Sequence, residues 1–492
     1  MKPVFNPYLP LNVCIPDGEP HVFNGRIYIF GSHDRPLAET FCELDYELWS
    51  APIDDPGNWK SHGIIYSAEQ DPDYSERKKY MYAPDVVQGN DGRYYLYYAL
   101  AGWQGRHGYE GPISVAVSDR PDGHYEYLGF VRNPDGTPFQ KKILFDPGVI
   151  NDDGVIRLYF GTSYDFDECT RFPRKLLYQY IESRIFDRRF SEFLKEKDGR
   201  SGAYTVKLAE DMRTVVSEPK LVVPTKTEGT PFEGHAFFEA SSIRKLNGKY
   251  YFIYSSRNNH ELCYAISDRP DEGFEYGGVI ISNGDVGFQG RKPEDRLNMT
   301  GNNHGSIAQF GGKSYIFYHR MTDKSTYSRQ ACAEEIQIGT DGRIEQVEMT
   351  SCGLNGGPLP SEGVYPAAIA CVLTNGHMPH LTNGKYQKKI PCITFQDGEA
   401  VVSNITDGTI VGYRSFLFKG GERLCLELTG DFEGVVRISS KIHGETKAKL
   451  QVRNGNVTSL RLPFEGTCPL YLEFQGQGTA VLHNLVFEKA AV

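Results

Sequence analysis

The chain has 492 residues, with 53 Lys and Arg against 63 Asp and Glu, a formal net charge of −10. Diffuse acidity of this kind excludes a nucleic-acid or anionic-membrane partner, because phosphates are held by clustered cations. No run of about 18 apolar residues is available to span a bilayer. The length sets a prior of roughly three domains and allows a large core without disulfide or metal staples. The N-terminal Met1-Lys2-Pro3-Val4-Phe5-Asn6-Pro7 lacks the apolar core of a secretory signal. Ten Cys, with no C-x-x-C pair and none at zinc spacing, read as reduced, mostly buried thiols. The expected location is therefore the bacterial cytoplasm, unless a signal peptide has been removed.

Composition favours β structure: 31 Tyr, 28 Phe and 52 Gly suit many short strands joined by tight turns. One pattern recurs along the first 350 residues, a Gly followed by an aromatic-rich strand. It reads Gly25-Arg26-Ile27-Tyr28-Ile29-Phe30, then Gly92 before Tyr94-Tyr95-Leu96-Tyr97-Tyr98, then Gly154 before Ile156-Arg157-Leu158-Tyr159-Phe160. It returns at Gly248 before Tyr250-Tyr251-Phe252-Ile253-Tyr254 and at Gly312 before Tyr315-Ile316-Phe317-Tyr318, at spacings of 67, 62, 94 and 64 residues. Asn24-Gly25, Asp91-Gly92, Asp153-Gly154 and Asn247-Gly248 are the dipeptides of two-residue hairpins, which need positive φ. A third strand follows each hairpin, as in Ser114-Val115-Ala116-Val117 and Tyr264-Ala265-Ile266, and a fourth is expected after it. Five units of about four antiparallel strands predict a five-bladed β-propeller over residues 1–350.

The long third interval holds an insert near 165–200, where Lys175 to Lys197 reads as a short helix or a solvated excursion on one face. Residues 351–364, rich in Gly and Pro, read as a linker. Residues 365–492, with turn signals every 8 to 12 residues, read as a β-sandwich. The fold class is all-β, a propeller followed by a sandwich.

In a propeller the first strand of each blade lines the central channel. Counting back about eight positions from each turn Gly gives Asp17, Asp85, Asp146, Glu239 and His304. Carboxylates converging on one axis are partly desolvated and repel one another, so their pKa values are pushed apart, which separates an acid from a base. Asp146, followed by Pro147, also suits a local turn at a strand start.

The ordered set Pro16-Asp17-Gly18-Glu19-Pro20-His21, Ala83-Pro84-Asp85 and Phe238-Glu239-Ala240-Ser241, in blade phase, resembles glycoside hydrolase family 43 over roughly residues 5–350. Asn302-Asn303-His304-Gly305 resembles that family's axial His segment, and Arg329 its active-site Arg. The resemblance implies an inverting glycosidase. Asp17 would be the general base, with Glu19 as the alternative because Gly18 stands where the family often has Pro. Glu239 would be the general acid, and Asp85 would orient the sugar and raise the pKa of Glu239. Inversion needs base and acid about 6.5–9.5 Å apart, with room for a water.

Substrate contacts are expected from Trp103, Arg329, His304 and His33, with Asp34 and His235 as further rim candidates. The chemistry requires no cofactor. His304 is open to an axial, structural calcium or an ordered water. Ile405-Thr406-Asp407-Gly408-Thr409 and Asn484-Leu485-Val486-Phe487 resemble a family 6 carbohydrate-binding module, although all three Trp lie in the propeller. That module reads as either a scaffold or a sugar binder.

The expected reaction is removal of a terminal pentose, α-L-arabinofuranose or β-D-xylose, from hemicellulose-derived oligosaccharides. A non-catalytic carbohydrate-binding propeller, and a related hydrolase of galactosides or internal arabinan linkages, are the alternatives. The sequence sets no oligomeric state.

Overall fold

The computed structural model describes residues 4–488, except 110, 164–171, 186–188, 192–199, 382–389, 454–455 and 458. Five antiparallel sheets follow one another along the chain. The first blade holds β1 (Glu19–Phe23), β2 (Arg26–Phe30), β3 (Tyr46–Pro52) and β4 (Lys60–Tyr66). The second holds β5 (Tyr80–Gln88), β6 (Tyr94–Ala101), β7 (Ile113–Ser118) and β8 (Glu126–Phe130). The third holds β9 (Gly148–Asp152), β10 (Val155–Phe160), β11 (Ala203–Lys207) and β12 (Lys220–Val223). The fourth holds β13 (Phe237–Leu246), β14 (Lys249–Ser256), β15 (Glu261–Ser267) and β16 (Glu275–Ser282). Three strands make the fifth: β17 (Ile307–Phe310), β18 (Lys313–Met321) and β19 (Arg329–Ile336). The insert contains α1 (Arg174–Ile185), between β10 and β11; residues 164–171, 186–188 and 192–199 of that insert lie outside the described residues.

The aromatic repeat is β2, β6, β10, β14 and β18, the second strand of each blade. Their Tyr, Phe and Ile side chains are buried between neighbouring blades, as with Tyr97, Tyr98, Tyr251 and Phe317. Four of the five hairpins have two-residue turns with both central residues at positive φ: the expected Asn24-Gly25, Asp153-Gly154 and Asn247-Gly248, and in the fifth blade Gly311-Gly312. The second blade differs. Gln88 pairs with Tyr94 across a five-residue loop, closed by Gly89 N–H to Arg93 O at 2.8 Å, and only Gly92 turns left-handed.

The inner strands approach too closely for side chains at some points. A Cβ on Gly148 would lie 2.5 Å from Ser241 O in the fourth blade. The ring closes where residues near the N-terminus cover the edge of the fifth blade. The Asn6 side-chain amide donates to Ala333 O at 2.9 Å and accepts from Ala333 N–H at 3.0 Å, as a fourth strand would.

The C-terminal part is a β-sandwich of two sheets, with a core that includes Tyr413, Phe416, Leu424, Phe474 and Phe487. The stretch expected as a linker already contributes to it: Leu359–Pro360 pairs with Phe416–Leu417, and Gly363–Pro366 pairs with Asn484–Phe487. The sandwich is locked to the propeller by Arg414, which is buried and donates to Asp285 Oδ2 at 2.6 Å and to Met349 O at 3.0 Å. Arg320 of β18 donates in turn to Ala368 O and Ala370 O, at 2.6 and 2.8 Å.

Candidate active site

A cavity of about 150 Å³ opens where the blades converge. Asp17, Tyr82, Asp146, Glu239 and His304 each bring one blade to it. Four of these stand six residues before the last residue of the blade's first strand; Glu239 stands seven before, on a strand whose register shifts on either side of it. The backbone is left-handed at or beside this level in four blades, with φ of 56° at Asp17, 26° at Ala83, 44° at Asp146 and 68° at Ala240. Non-glycine residues rarely adopt such values, and the strain is concentrated at the cavity.

Asp85 is not at the cavity, which corrects the role expected for it. The physical reason is the longer hairpin of the second blade. Counting back from Gly92 lands three residues from the end of β5, and Tyr82 and Ala83 take the cavity level instead. Asp85 is fully buried deeper in the blade. It contacts His21 Nε2 at 2.6 Å and accepts from the N–H groups of Val86 and Val149, both at 2.8 Å. Burial works against its ionisation, but His21 and these donors hold its pKa below the ordinary carboxylate value.

Asp146 is the second Asp in the cavity. Its Oδ2 accepts from Ala240 N–H at 2.9 Å, next to Glu239, and lies 3.9 Å from His304 Nδ1. Burial, with the charge of Asp17 adding to it, raises the Asp146 pKa to about 6, although His304 opposes the rise. Glu239 is pushed well above the usual range, first by burial and then by the like charge of Asp146.

Asp17 goes the other way. Burial opposes its charge, but Arg329 and His304 attract it, and its pKa is lowered. Arg329 is buried. Its Nη1 donates to Asp17 Oδ1 at 2.8 Å, its Nε and Nη2 grip Asp34 at 2.7 and 3.0 Å, and its guanidinium lies 4.8 Å from the Phe41 ring centre. His319 on β18 accepts from Asp17 N–H through Nδ1 at 3.3 Å and donates from Nε2 to Asn302 O at 2.8 Å. Burial and Arg329 lower its pKa to about 3, so it is a neutral support for Asp17.

Of the other expected residues, Arg329 and His304 line the cavity; Trp103 and His33 do not. Trp103 is 44 % exposed and packs edge-on to Tyr80. Its neighbour Gln104 donates to the Tyr327 hydroxyl, and Tyr327 packs on Phe41 of the cavity wall. His33 is directed to Asp45 O at 2.8 Å. His235 contacts Glu261 at 2.7 Å, outside the cavity. Glu19, the alternative base, is buried away from the cavity, with Arg244 at 2.5 Å and Ser242 at 3.0 Å on its Oε2. Of the other lining residues, Phe41, Tyr109 and Asn259 carry no repeat signal, whereas Phe145 and Phe238 directly precede the axial Asp146 and Glu239 and Asn302 lies two before His304, a shared phase that could have found them.

Residues 24–183 and 186–344 match the family described as Glycosyl hydrolases family 43. The chain belongs to this family. As a family 43 enzyme it is 41 % identical over 505 residues to a xylosidase/arabinosidase of Thermoclostridium stercorarium, spanning 98 % of each chain. It is 33 % identical over 354 residues to xylosidase/arabinosidase 43A of Humicola insolens, covering 68 % of this chain and 96 % of that one. Among solved structures it resembles the family 43 beta-xylosidase/alpha-arabinofuranosidase from a compost microbial metagenome, in complex with xylotriose and in calcium-free form. Identity there is 26 % and the TM-score 0.50, over 70 % of this chain and 97 % of the other.

Calcium can be tested against the donors this family 43 enzyme offers. His304 Nε2 and Glu19 Oε1 are buried, lack hydrogen-bond partners, and lie 3.6 Å apart. Burial disfavours the charged ring, but Glu19 and Asp146 outweigh it and raise the His304 pKa to about 9. Calcium takes about six to eight oxygen ligands. A single free carboxylate oxygen between cationic His304 and Arg244 does not form such a shell; its chemistry suits a bridging water instead.

Proposed function

We propose that this family 43 enzyme removes a terminal pentose, α-L-arabinofuranose or β-D-xylose, from hemicellulose-derived oligosaccharides with inversion at the anomeric carbon. The observation that carries the reading is the pairing of opposed carboxyl environments in one small cavity. Asp17 is held ionised by Arg329, and Glu239 is held protonated by burial beside Asp146. Asp17 takes a proton from a water that attacks the anomeric carbon. Glu239 gives its proton to the departing glycosidic oxygen. Asp146, rather than Asp85, keeps Glu239 protonated and bonds the backbone beside it. Arg329 stays charged through the cycle and fixes the Asp17 carboxylate.

At about 150 Å³ the cavity is smaller than the roughly 300–1,000 Å³ of a drug-sized ligand site. That size supports a single sugar unit taken from a chain end over an internal cut. The xylosidase/arabinosidase names of the relatives support a pentose. The nine described cysteines form no disulfide, which supports a reducing compartment and imported oligosaccharides as substrates. The test is a panel of aryl glycosides, arabinofuranoside and xyloside first, with wild type, Asp17→Asn and Glu239→Gln. The reading expects pentoside turnover by wild type, loss of most of it in Asp17→Asn, and in Glu239→Gln a loss that grows as the aryl leaving group becomes less acidic. Turnover of galactosides alone, or near-wild-type Asp17→Asn, contradicts it.

A further inference from the structure

The propeller does not build the whole cavity wall. Among the described residues, Asp17 to Arg329 supply every lining residue but one, and that one, Leu381, comes from the C-terminal part of the chain. Val372–Thr374 pairs with Ile410–Gly412 as part of the sandwich. The chain then crosses to the propeller and is fastened there. Thr300 N–H donates to Pro379 O at 3.1 Å, Leu381 N–H donates to Thr300 O at 2.9 Å, and Thr300 Oγ1 meets His380 Nδ1 at 2.9 Å. Met378 packs with Met299 and Met321 beneath this crossing. Thr300 is fully buried and lies two residues before Asn302 and four before His304, both cavity residues. One propeller segment therefore fixes the cavity floor and the sandwich's contribution together. Leu381 has a φ of 51°, a strained value for a residue with a branched side chain.

The position of Leu381 in depth gives its role. Asp17, Asp146, His304 and Arg329, which would meet the bound sugar, are buried, whereas Leu381 is 48 % exposed. A half-exposed wall residue stands at the mouth, where the part of the substrate that departs must lie. Leu offers no hydrogen bond, so it meets that group by apolar contact alone. The sandwich has no comparable aromatic platform: among its described residues every Phe and Tyr is buried except the half-buried Phe395.

We propose that Leu381 is a specificity residue for the leaving group, so that the C-terminal domain completes the active site. The domain thereby selects leaving groups with an apolar face, an aryl ring or the C–H face of a second sugar. This rests on the reading that the enzyme removes a terminal pentose. The test compares kcat/KM for p-nitrophenyl β-D-xyloside with that for β-D-xylosyl fluoride, whose leaving group is too small to reach the mouth. The comparison uses the full chain as wild type, Leu381→Asp, Leu381→Ala and Leu381→Met. The ratio of the two values is independent of the folded fraction. It should fall roughly tenfold in Leu381→Asp, the scale of a lost apolar contact in a binding pocket. It should fall less in Leu381→Ala and be kept in Leu381→Met. A ratio unchanged in both the Asp and Ala variants overturns the proposal and leaves the pentosidase reading standing. Wild type that cleaves neither substrate, nor the corresponding arabinofuranosides, overturns both.

Discussion

Asp85→Asn and Asp146→Asn should fail in opposite ways. Three donors converge on the fully buried Asp85 carboxylate: His21 Nε2 and the N–H groups of Val86 and Val149. Asn offers one acceptor oxygen and an NH2 group, so at least one buried donor would face another donor. An unsatisfied buried donor costs about 1–3 kcal/mol, and losing the charge under the remaining bonds adds to this, for a total of about 2–5 kcal/mol. Asp146 makes one backbone bond, to Ala240 N–H, which an Asn oxygen can keep. Its substitution should cost about 1 kcal/mol or less in stability. The kinetic order is reversed. Without the Asp146 charge, Glu239 loses the like-charge repulsion that helps keep it protonated. The alkaline limb of the pH profile should move to lower pH, and turnover should fall by roughly 10²–10⁴, the scale of a general acid's contribution. Asp85→Asn should keep the alkaline limb where it is. Urea unfolding and kcat/KM against pH measure both halves. A stable Asp85→Asn with a displaced alkaline limb, together with a near-wild-type Asp146→Asn, would refute the placement of roles.

Glu239→Gln should lose most turnover on xylobiose, whose leaving oxygen needs a proton, and much less on an aryl xyloside with an acidic leaving group. The same variant should be more stable than wild type at neutral and alkaline pH. A carboxyl whose folded pKa is raised costs stability as pH climbs past its unfolded value; equal unfolding midpoints at high pH would count against that burial. Arg329→Met leaves Asp17 and Asp34 without their buried partner, at a cost of about 3–5 kcal/mol. Asp17, with its lowered folded pKa, contributes stability above the ordinary carboxylate range that is lost as pH falls. The stability gap to wild type should therefore narrow in acid, and the acid limb of activity should move to higher pH. Dialysis against EDTA should leave the melting temperature unchanged, because His304 and Glu19 do not form a calcium shell; a drop restored by calcium alone would show otherwise.

The architecture was readable because a β-propeller writes its period into the chain. The turn Gly and the aromatic second strand recur once per blade, since each blade must bury the same faces against its neighbours. Asp17, Glu239 and His304 were readable for the same reason. Asp85 misled because the count ran from the turn Gly, and the five-residue loop at 89–93 inserts chain between that Gly and the strand end. Counting from the last strand residue instead points to Tyr82; Asp146 is reached by either count, but with Pro147 after it the sequence also suited a local turn. Phe41 and Tyr109 lie in loops between strands, which carry no period. Leu381 was out of reach of any repeat argument, since its place depends on how a second domain packs against Thr300.

The central claim is that Asp17 delivers a water to the face of the sugar opposite Glu239. Proton NMR of the first sugar released from an aryl β-D-xyloside or aryl α-L-arabinofuranoside tests it most directly. The account predicts that the initial product has the anomeric configuration opposite to the substrate, relaxing by mutarotation afterwards. An initial product of the same configuration would make Asp17 a nucleophile rather than a base and contradict the account.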